Sequence, residues 1–173
     1  MNKEEKVDIY DENKNKTGKV KIRHKDVLEP GEFIIGVQAI IINSKNQILI
    51  SQRSKNKKVL PLKWECNGGA LSSGENILDG LVREIYEELG IYLDKDKAIF
   101  LKTAKNNNVF KEIFLFKKDL SIDKINFEDG EAQNAKWVTI DEFVKMFDEG
   151  EIVYNVNFDK NDYEKSLQLL NND

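Results

Sequence analysis

The segment that most constrains the fold of this chain is GGALSSGENILDGLVREIYEELGI, at positions 68–91. Its apolar residues recur at the three- and four-residue spacing of a single helix face. They are Leu78, Leu81, Val82, Ile85 and Leu89. The pattern predicts an amphipathic helix that begins near Glu75, is capped by Ser72 or Ser73, and ends at Gly90. The apolar side is the packing face of this helix.

Three carboxylates fall on the side of the predicted helix that lies opposite its apolar face. At about 100° per residue, Glu84, Glu87 and Glu88 share one patch. Glu84 and Glu88 are an i, i+4 pair of like charges, which is mildly destabilising, and no lysine lies on that stripe. A solvated charged face is the simpler explanation. The repulsion favours instead a divalent cation, Mg²⁺ or Mn²⁺, since the patch offers oxygen ligands without His or Cys.

A divalent cation at this patch would take part in a reaction as well as bind there. Magnesium held by one or two carboxylates keeps its other positions for water and for phosphate oxygens. Divalent ions on an acidic patch can bind a diphosphate, activate water and stabilise the leaving group. The predicted reaction is therefore metal-assisted phosphoryl or nucleotidyl transfer to water.

The rest of the composition describes a globular protein. A chain of 173 residues with 40% hydrophobic and 34% charged residues is expected to form one domain with decorations. Its net charge of -4 offers no long-range attraction to nucleic acid. The start of the sequence is too charged for a secretion signal, and the most apolar stretch, at 33–42, is too short to span a membrane. We expect a cytoplasmic protein without nucleic-acid or membrane partners.

Strand patterns precede the predicted helix. The segments VDIY and KVKI predict a hairpin within residues 1–32, and Pro30-Gly31 separates it from a main body at 33–173. FIIGVQAIIIN and ILISQRS predict a second hairpin, and KWECNGG predicts a strand that ends in a glycine pair.

Further elements follow the helix. AIFLKTA, VFKEIFLFKKD and AKWVTI predict three more strands. Thr139 and Glu142 predict a capping box for a second helix that is closed by Gly150, and DYEKSLQLL predicts a last short helix. The predicted fold class is α+β, with helices packed on strands.

The residues around the first helix resemble the Nudix box, G-x5-E-x7-R-E-U-x-E-E-x-G-U, in which U is a bulky apolar residue. The matching residues are Gly69, Glu75, Arg83, Glu84, Ile85, Glu87, Glu88, Gly90 and Ile91. A motif with this many fixed positions is far more specific than a lone glycine motif. The resemblance covers about 33–150 and implies a Nudix-type α/β/α sandwich with a mixed β-sheet and an N-terminal β-hairpin extension.

The resemblance also implies a function, which is Mg²⁺-dependent hydrolysis of a diphosphate linkage in a nucleoside diphosphate derivative. The implied metal ligands are Glu84, Glu87, Glu88 and the carbonyl of Gly69. Arg83, Glu87 and Glu88 belong to the implied catalytic set, and Glu75 and Arg83 would orient the ligands. The implied partner is a small-molecule diphosphate substrate, and homodimers are common in the family.

The hairpin extension is similar in layout to a bacterial subgroup close to isopentenyl-diphosphate isomerases. Those enzymes use histidines at the metal and a cysteine with a glutamate for proton transfer. Here His24 is the only histidine, it lies far from the box, and Cys66 is out of register with the isomerase cysteine. Hydrolysis is therefore favoured over the alternatives of a non-catalytic nucleotide or sugar-nucleotide sensor and a prenyl-diphosphate isomerase. Cys66 is expected to be a small strand residue.

A catalytic base is expected outside the box. Glu131 precedes the WV strand and is the first candidate, with Glu128 in the same loop as an alternative. For both, a solvated loop acid is the simpler explanation. Glu112 is a weaker candidate, because it shares a strand face with phenylalanines where a carboxylate needs a reason to lie.

Cationic residues are expected to contact the substrate phosphates. Arg53 ends a predicted strand, and Lys57 or Lys58 follows in the SKNKK loop. Trp64 and Trp137 are interpreted as packing residues in preference to a stacking platform for a base. The sequence leaves open whether the substrate is ADP-ribose, a sugar nucleotide, a dinucleoside polyphosphate, a nucleoside triphosphate or a non-nucleotide diphosphate.

Overall fold

A computed structural model of the chain describes residues 4–127 and 130–171. The strands are β1 (Lys6–Tyr10), β2 (Lys16–Ile22), β3 (Ile34–Ile42), β4 (Ile48–Arg53), β5 (Trp64–Glu65), β6 (Gly68–Ala70), β7 (Ile99–Asn106), β8 (Val109–Lys117) and β9 (Ala132–Val138). The helices are α1 (Ile77–Leu89), α2 (Ile140–Asp148) and α3 (Lys160–Asn171). None of the helices in these residues has the length and apolar character needed to cross a membrane.

A mixed sheet with the order β5-β4-β3-β8-β7 forms the centre of the molecule, and β6 and β9 pair with β3 and β4. β3 and β8 run parallel in continuous register, from Ile34 opposite Val109 to Ile42 opposite Lys117. The other pairings in this sheet are antiparallel. Both faces of β3 are buried, which explains its unbroken run of apolar residues.

The predicted hairpin of β3 and β4 is present only at its turn. The two strands pair at Ile42 and Ile48 alone. Further from the turn, β6 pairs with β3 through Gly36 to Gln38, while β4 pairs with β9 and β5. The hairpin prediction is therefore wrong beyond the turn, because β3 and β4 each take other neighbours.

Helices cover both faces of the sheet. The apolar face of α1, which includes Leu81 and Ile85, packs in a cluster with Val37 and Ala39 of β3. Alternate β3 residues such as Ile40 contribute to a second cluster, which contains residues of α2 and α3. These layers confirm the predicted α+β class and the α/β/α sandwich.

The ends of the helices test the predicted capping residues. Asn76 caps α1 by accepting a hydrogen bond from the Leu78 amide at 3.0 Å, so the prediction of Ser72 or Ser73 is wrong. Gly90 ends α1 as predicted, with φ of 64° and a 2.8 Å bond from its amide to the Tyr86 carbonyl. The capping box of Thr139 and Glu142 at the start of α2 is also confirmed.

The N-terminal hairpin is a separate two-stranded sheet, β1-β2, that packs on the central sheet. Val7 and Ile9 are buried against Ala70 of β6. Tyr10 and Phe33 exchange two backbone hydrogen bonds of 2.8 Å, which fix the end of β1 beside the start of β3. The predicted strands of this hairpin are confirmed.

An ion pair between the half-exposed Lys14 and the buried Glu112 joins the turn of this hairpin to the central sheet. Glu112 is only 4% exposed and lies on the face of β8 that carries Phe110 and Phe114. Its oxygens accept bonds of 2.8 Å from Lys14 and from the hydroxyl of Thr103. These contacts explain a carboxylate among aromatic residues and dock the hairpin on the central sheet.

We predict that Lys14→Met destabilises the fold by about 1–3 kcal/mol, because Glu112 would remain buried with only the Thr103 hydroxyl as a donor. Urea unfolding measures this loss. Lys25→Met is the matched control, since the Lys25 and Glu4 side chains form an exposed pair worth at most about 1 kcal/mol. Equal effects of the two substitutions would contradict the docking role.

Candidate functional site

The glycine pair of β6 allows two close approaches at the edge of the site. A Cβ on Gly68 would lie 2.0 Å from the backbone oxygen of Val37, so only glycine permits the pairing of β6 with β3. A Cβ on Gly69 would lie 2.1 Å from a carboxylate oxygen of Glu84. The Glu84 carboxylate therefore occupies the space that a side chain at position 69 would fill.

A single guanidinium group connects three carboxylates of this region. Arg83 donates to both oxygens of Glu75, at 2.7 and 2.8 Å, in a bidentate pair. Its Nη1 donates to Glu84 Oε1 and to Glu87 Oε2, each at 2.9 Å. No lysine lies on this stripe, as the sequence shows, but Arg83 relieves the repulsion by reaching across from its flank.

Glu88 departs most from the expected solvent-facing patch. Its side chain is buried, with 7% exposure, whereas the Glu87 side chain is 52% exposed. The Glu88 Oε2 accepts a 2.8 Å bond from the amide of Asn67, in the turn between β5 and β6. Burial raises the Glu88 pKa well above its usual value against the effect of this bond, and the charges of Glu65, Glu84 and Glu131 raise it further.

The loop before α1 is anchored by the N-terminal hairpin. The Asp8 carboxylate accepts bonds from the Ser73 hydroxyl at 2.6 Å and the Gly74 amide at 3.0 Å. Next in this loop, the Ser72 amide donates at 2.9 Å to Glu75. Glu75 in turn binds Arg83, so hydrogen bonds extend from the hairpin to the carboxylates of α1. Sequence reasoning missed Asp8, because an acid on the outer face of a short strand carries no local signal of a partner 65 residues away.

A cavity of about 260 Å³ lies beside the glycine pair. Its charged lining residues are Arg23, Arg53, Glu65 and Lys111. Arg53 donates to both oxygens of Glu65, at 2.9 and 3.1 Å, and to the carbonyls of Val59 and Leu60. Arg53, the predicted phosphate-binding residue, thus lies in the wall of a cavity. Its guanidinium group also donates to carbonyls of the loop after β4 and holds that loop.

The other predicted residues outside the box lie together. Lys57 Nζ and Glu131 Oε2 form an ion pair of 2.7 Å, and the Glu131 carbonyl accepts a 2.8 Å bond from the Ser54 amide. The Glu131 charge acts on Glu88, as the pKa of Glu88 indicates. Glu128, the alternative base, lies outside the described residues.

The surroundings of Cys66, Trp64 and Trp137 are those of packing residues. Burial raises the pKa of the Cys66 thiol to about 12, so the thiol stays protonated and suits a packing role. Trp64 is partly buried in the cluster of α2 and α3, with Lys136 Nζ 4.4 Å from its ring centroid. The Trp137 indole donates to the Leu120 carbonyl at 3.2 Å.

Across residues 4–127 and 130–171, no three His, Cys, Asp or Glu side chains already surround a common point as a metal site would require. Arg83 instead draws Glu84 and Glu87 toward Glu75. The donor set still suits a hard cation, because it consists of oxygens and includes a buried carboxylate with a neutral partner at Glu88.

Comparisons with known proteins agree on one family. The model of the NUDIX domain matches residues 32–156. Over 150 residues, the chain is 30% identical to the uncharacterized Nudix hydrolase lmo0368 of Listeria monocytogenes, covering 86% of this chain and 88% of that protein. It is 29% identical over 115 residues to Nudix hydrolase 2 of Arabidopsis thaliana, with 65% of this chain and 41% of that protein covered.

Solved structures share the fold. The crystal structure of DR0079 from Deinococcus radiodurans has a TM-score of 0.72 at 23% identity, over 86% of this chain and 92% of that chain. A bifunctional NMN adenylyltransferase/ADP ribose pyrophosphatase from Francisella tularensis, complexed with AMP and a Mn ion, has a TM-score of 0.58 at 22% identity. That match covers 86% of this chain and 43% of the Francisella chain.

Substitution of the two glycines of β6 is expected to have different effects on the free energy of unfolding. Gly68→Ala should lower the free energy of unfolding by about 2–4 kcal/mol, because the new methyl group meets the backbone of β3. Gly69→Ala should change it by less than about 1 kcal/mol, since the flexible Glu84 side chain can move aside, but should weaken Mn²⁺ binding. Urea unfolding and calorimetric Mn²⁺ titration measure these effects. Equal destabilisation, or unchanged Mn²⁺ affinity in Gly69→Ala, would contradict the assigned contacts.

The anchoring of the loop by Asp8 predicts a dependence of stability on pH. Burial opposes ionisation of Asp8, but bonds from Lys16, Ser73 and Gly74 lower its pKa to about 2. Because the folded-state pKa lies below the ordinary value, the carboxylate stabilises the fold above about pH 4, and this contribution is lost as the pH falls toward 2.

Asp8→Asn should therefore destabilise the protein by about 1–2 kcal/mol at pH 7 and by progressively less between pH 4 and pH 2. Urea unfolding across this range measures the difference. Glu12→Gln, at an exposed position of the same hairpin, is the control that should show no such change. A constant difference between Asp8→Asn and the unsubstituted protein at all pH values would refute the role of the charge.

Proposed function

This chain belongs to the Nudix hydrolase family, and from that premise we propose that it hydrolyses a diphosphate linkage in a nucleoside diphosphate derivative with Mg²⁺ as cofactor. Membership makes it a hydrolase of phosphorus-containing anhydrides. The observation that carries the finer proposal is the buried carboxylate of Glu88 on the helix that also carries Glu84, whose carboxylate lies against Gly69 in the wall of a cavity with cationic side chains.

Four groups are proposed as metal ligands: the Gly69 carbonyl and the carboxylates of Glu84, Glu87 and Glu88. Contact of the Glu84 carboxylate with the Gly69 backbone supports their shared role. A bound divalent ion would lower the pKa of a coordinated water and neutralise charge on phosphate oxygens. Mn²⁺ is an alternative to Mg²⁺, because both accept oxygen ligands.

Arg83 is proposed to position these ligands. Its bidentate bond with Glu75 fixes the guanidinium plane. In the absence of a cation, Glu84 and Glu87 therefore have the fixed guanidinium group of Arg83 as their partner. The Arg83 pKa is raised by hydrogen bonding to Glu75, which keeps the group charged. A metal site requires several carboxylates close together, and the contacts with Arg83 offset the repulsion between them.

Glu131 is proposed as the base that accepts a proton from the attacking water, and Lys57 as a phosphate-binding residue. Their 2.7 Å ion pair supports a linked role. A substrate phosphate that attracts Lys57 would release the Glu131 Oε2 from this contact, so substrate binding and the availability of a proton acceptor would be coupled.

The cavity is proposed to take a phosphate and part of the group attached to the diphosphate. Arg53 would add positive charge to its wall beside Glu65. At its rim, Tyr154 is 76% exposed and offers an aromatic surface for a planar group. The hairpin at 1–32 is proposed as an extension that completes this cavity, because it contributes Arg23.

We predict that Glu88→Gln lowers kcat at least about 100-fold, because a neutral amide is a poor ligand for a hard cation. The fold should persist with an equal or higher melting temperature, since the substitution removes a buried charge. The assay is phosphate release, coupled to a phosphatase where needed, from a panel of nucleoside diphosphate derivatives with Mg²⁺ or Mn²⁺.

Glu149→Gln, an exposed change at the end of α2, is the control that should retain the unsubstituted protein's rate. Full activity in Glu88→Gln would exclude Glu88 from the metal site. Tight binding of a nucleotide by the unsubstituted protein without any turnover would favour the sensor alternative.

A further inference from the structure

Lys111 is a partly buried cation in the cavity, outside the Nudix box and outside the residues that its pattern defines. It lies on β8 directly opposite Gly36 of β3, which has no side chain to cover it. Its ammonium group donates to the Asn155 carbonyl at 3.0 Å. In the part of the chain that the structure describes, no carboxylate lies within ion-pair distance of Lys111.

The other cations of the cavity are already paired. Arg53 forms its bidentate bond with Glu65, and Arg23 binds both oxygens of Glu5 at 2.9 and 3.1 Å. Glu65 acts on Lys111 through space, but burial lowers the pKa of Lys111 despite this charge. Among the described lining residues, Lys111 is thus the cation whose charge has no carboxylate in contact.

Such a lysine is unfavourable for folding alone. Removing an ammonium group from water without an opposite charge costs free energy, and an apolar residue of similar volume would be neutral or stabilising there. An anionic ligand that enters the cavity would supply the missing opposite charge. In a protein with net charge -4, the ammonium group of Lys111, beside two cations that are already paired, provides local attraction for such a ligand.

The size and place of the cavity narrow the class of this ligand. About 260 Å³ is below the roughly 300–1,000 Å³ of pockets that enclose drug-sized ligands, so the cavity fits a phosphate and only part of an attached group. Its wall includes Gly69, whose backbone lies against Glu84. The cavity and the proposed metal ligands therefore share the β6 backbone at Gly69.

We propose that Lys111 is a substrate-binding residue whose ammonium group contacts a phosphate oxygen of the diphosphate. This inference rests on the proposed function for the identity of the ligand as a diphosphate. It adds a phosphate contact from a central strand of the sheet to the contacts that residues of the Nudix box are proposed to make. The sequence pattern predicts phosphate contacts in the lysine-rich loop after β4, whereas a lysine inside a strand carries no such local signal.

Calorimetric titration with inorganic pyrophosphate in the presence of Mg²⁺ tests the proposal on the full chain. Lys111→Met should weaken binding about tenfold or more, whereas Lys111→Arg should retain affinity within about threefold. Lys117→Met is the matched control, because Lys117 lies on the same strand at an exposed position outside the cavity. This control should bind pyrophosphate as the unsubstituted protein does.

The melting temperature separates binding from a structural role. Lys111→Met should melt at the same or a higher temperature than the unsubstituted protein, because it replaces an unpaired charge. Unchanged pyrophosphate affinity in Lys111→Met would overturn the proposal, and so would weaker binding accompanied by a lower melting temperature. Absence of pyrophosphate binding by the unsubstituted protein would overturn it as well.

The titration also distinguishes this proposal from the proposed function. Pyrophosphate binding that depends on Lys111, in a protein that hydrolyses no compound of the panel, would refute the hydrolase assignment and leave the Lys111 contact standing. Hydrolysis by a protein whose Lys111→Met variant binds pyrophosphate normally would refute the contact alone.

Discussion

The bidentate bond between Arg83 and Glu75 is the contact on which the rest of the candidate site depends. Glu84 and Glu87 are held by the same guanidinium group, so its orientation decides where their carboxylates lie. Glu75 is itself fixed by the Ser72 amide, in a loop that Asp8 anchors to the hairpin. An acidic cluster that would repel itself in isolation is therefore stabilised inside a folded protein before any cation binds.

Much of the fold follows from local patterns in the sequence. The capping box of α2, the αL glycine after α1 and the strands β7, β8 and β9 depend on residues a few positions apart, and the structure has them where the patterns predict. The single strand predicted for KWECNGG is wrong, because the chain breaks at Cys66-Asn67 into β5 and β6 and the glycine pair begins β6. The N-cap of α1 was misplaced because Ser72, Ser73 and Asn76 are all acceptable caps. Only the turn closed by Glu75 decides among them.

The features that sequence reasoning missed depend on distant parts of the chain. The divergence of β3 from β4 depends on β6 and β5, which pair with the edges of β3 and β4 that these two strands would otherwise share. Burial of Glu88 depends on the turn that contains Asn67, and helical periodicity cannot report what covers a helix face. The box pattern located the carboxylates of α1, whereas the supporting contacts from Asp8 and Lys14 belong to a hairpin that lies before the matched residues 32–156.

We propose that the carboxylates of α1 and the Gly69 carbonyl hold a divalent cation. The most direct test is calorimetric titration of Mn²⁺ into the metal-free protein, with its melting temperature measured at each Mn²⁺ concentration. We expect saturable binding and a melting temperature that rises with Mn²⁺ concentration, because a ligand of the folded state stabilises that state by mass action. A melting temperature that is independent of Mn²⁺, together with no saturable heat, would refute the proposed metal site.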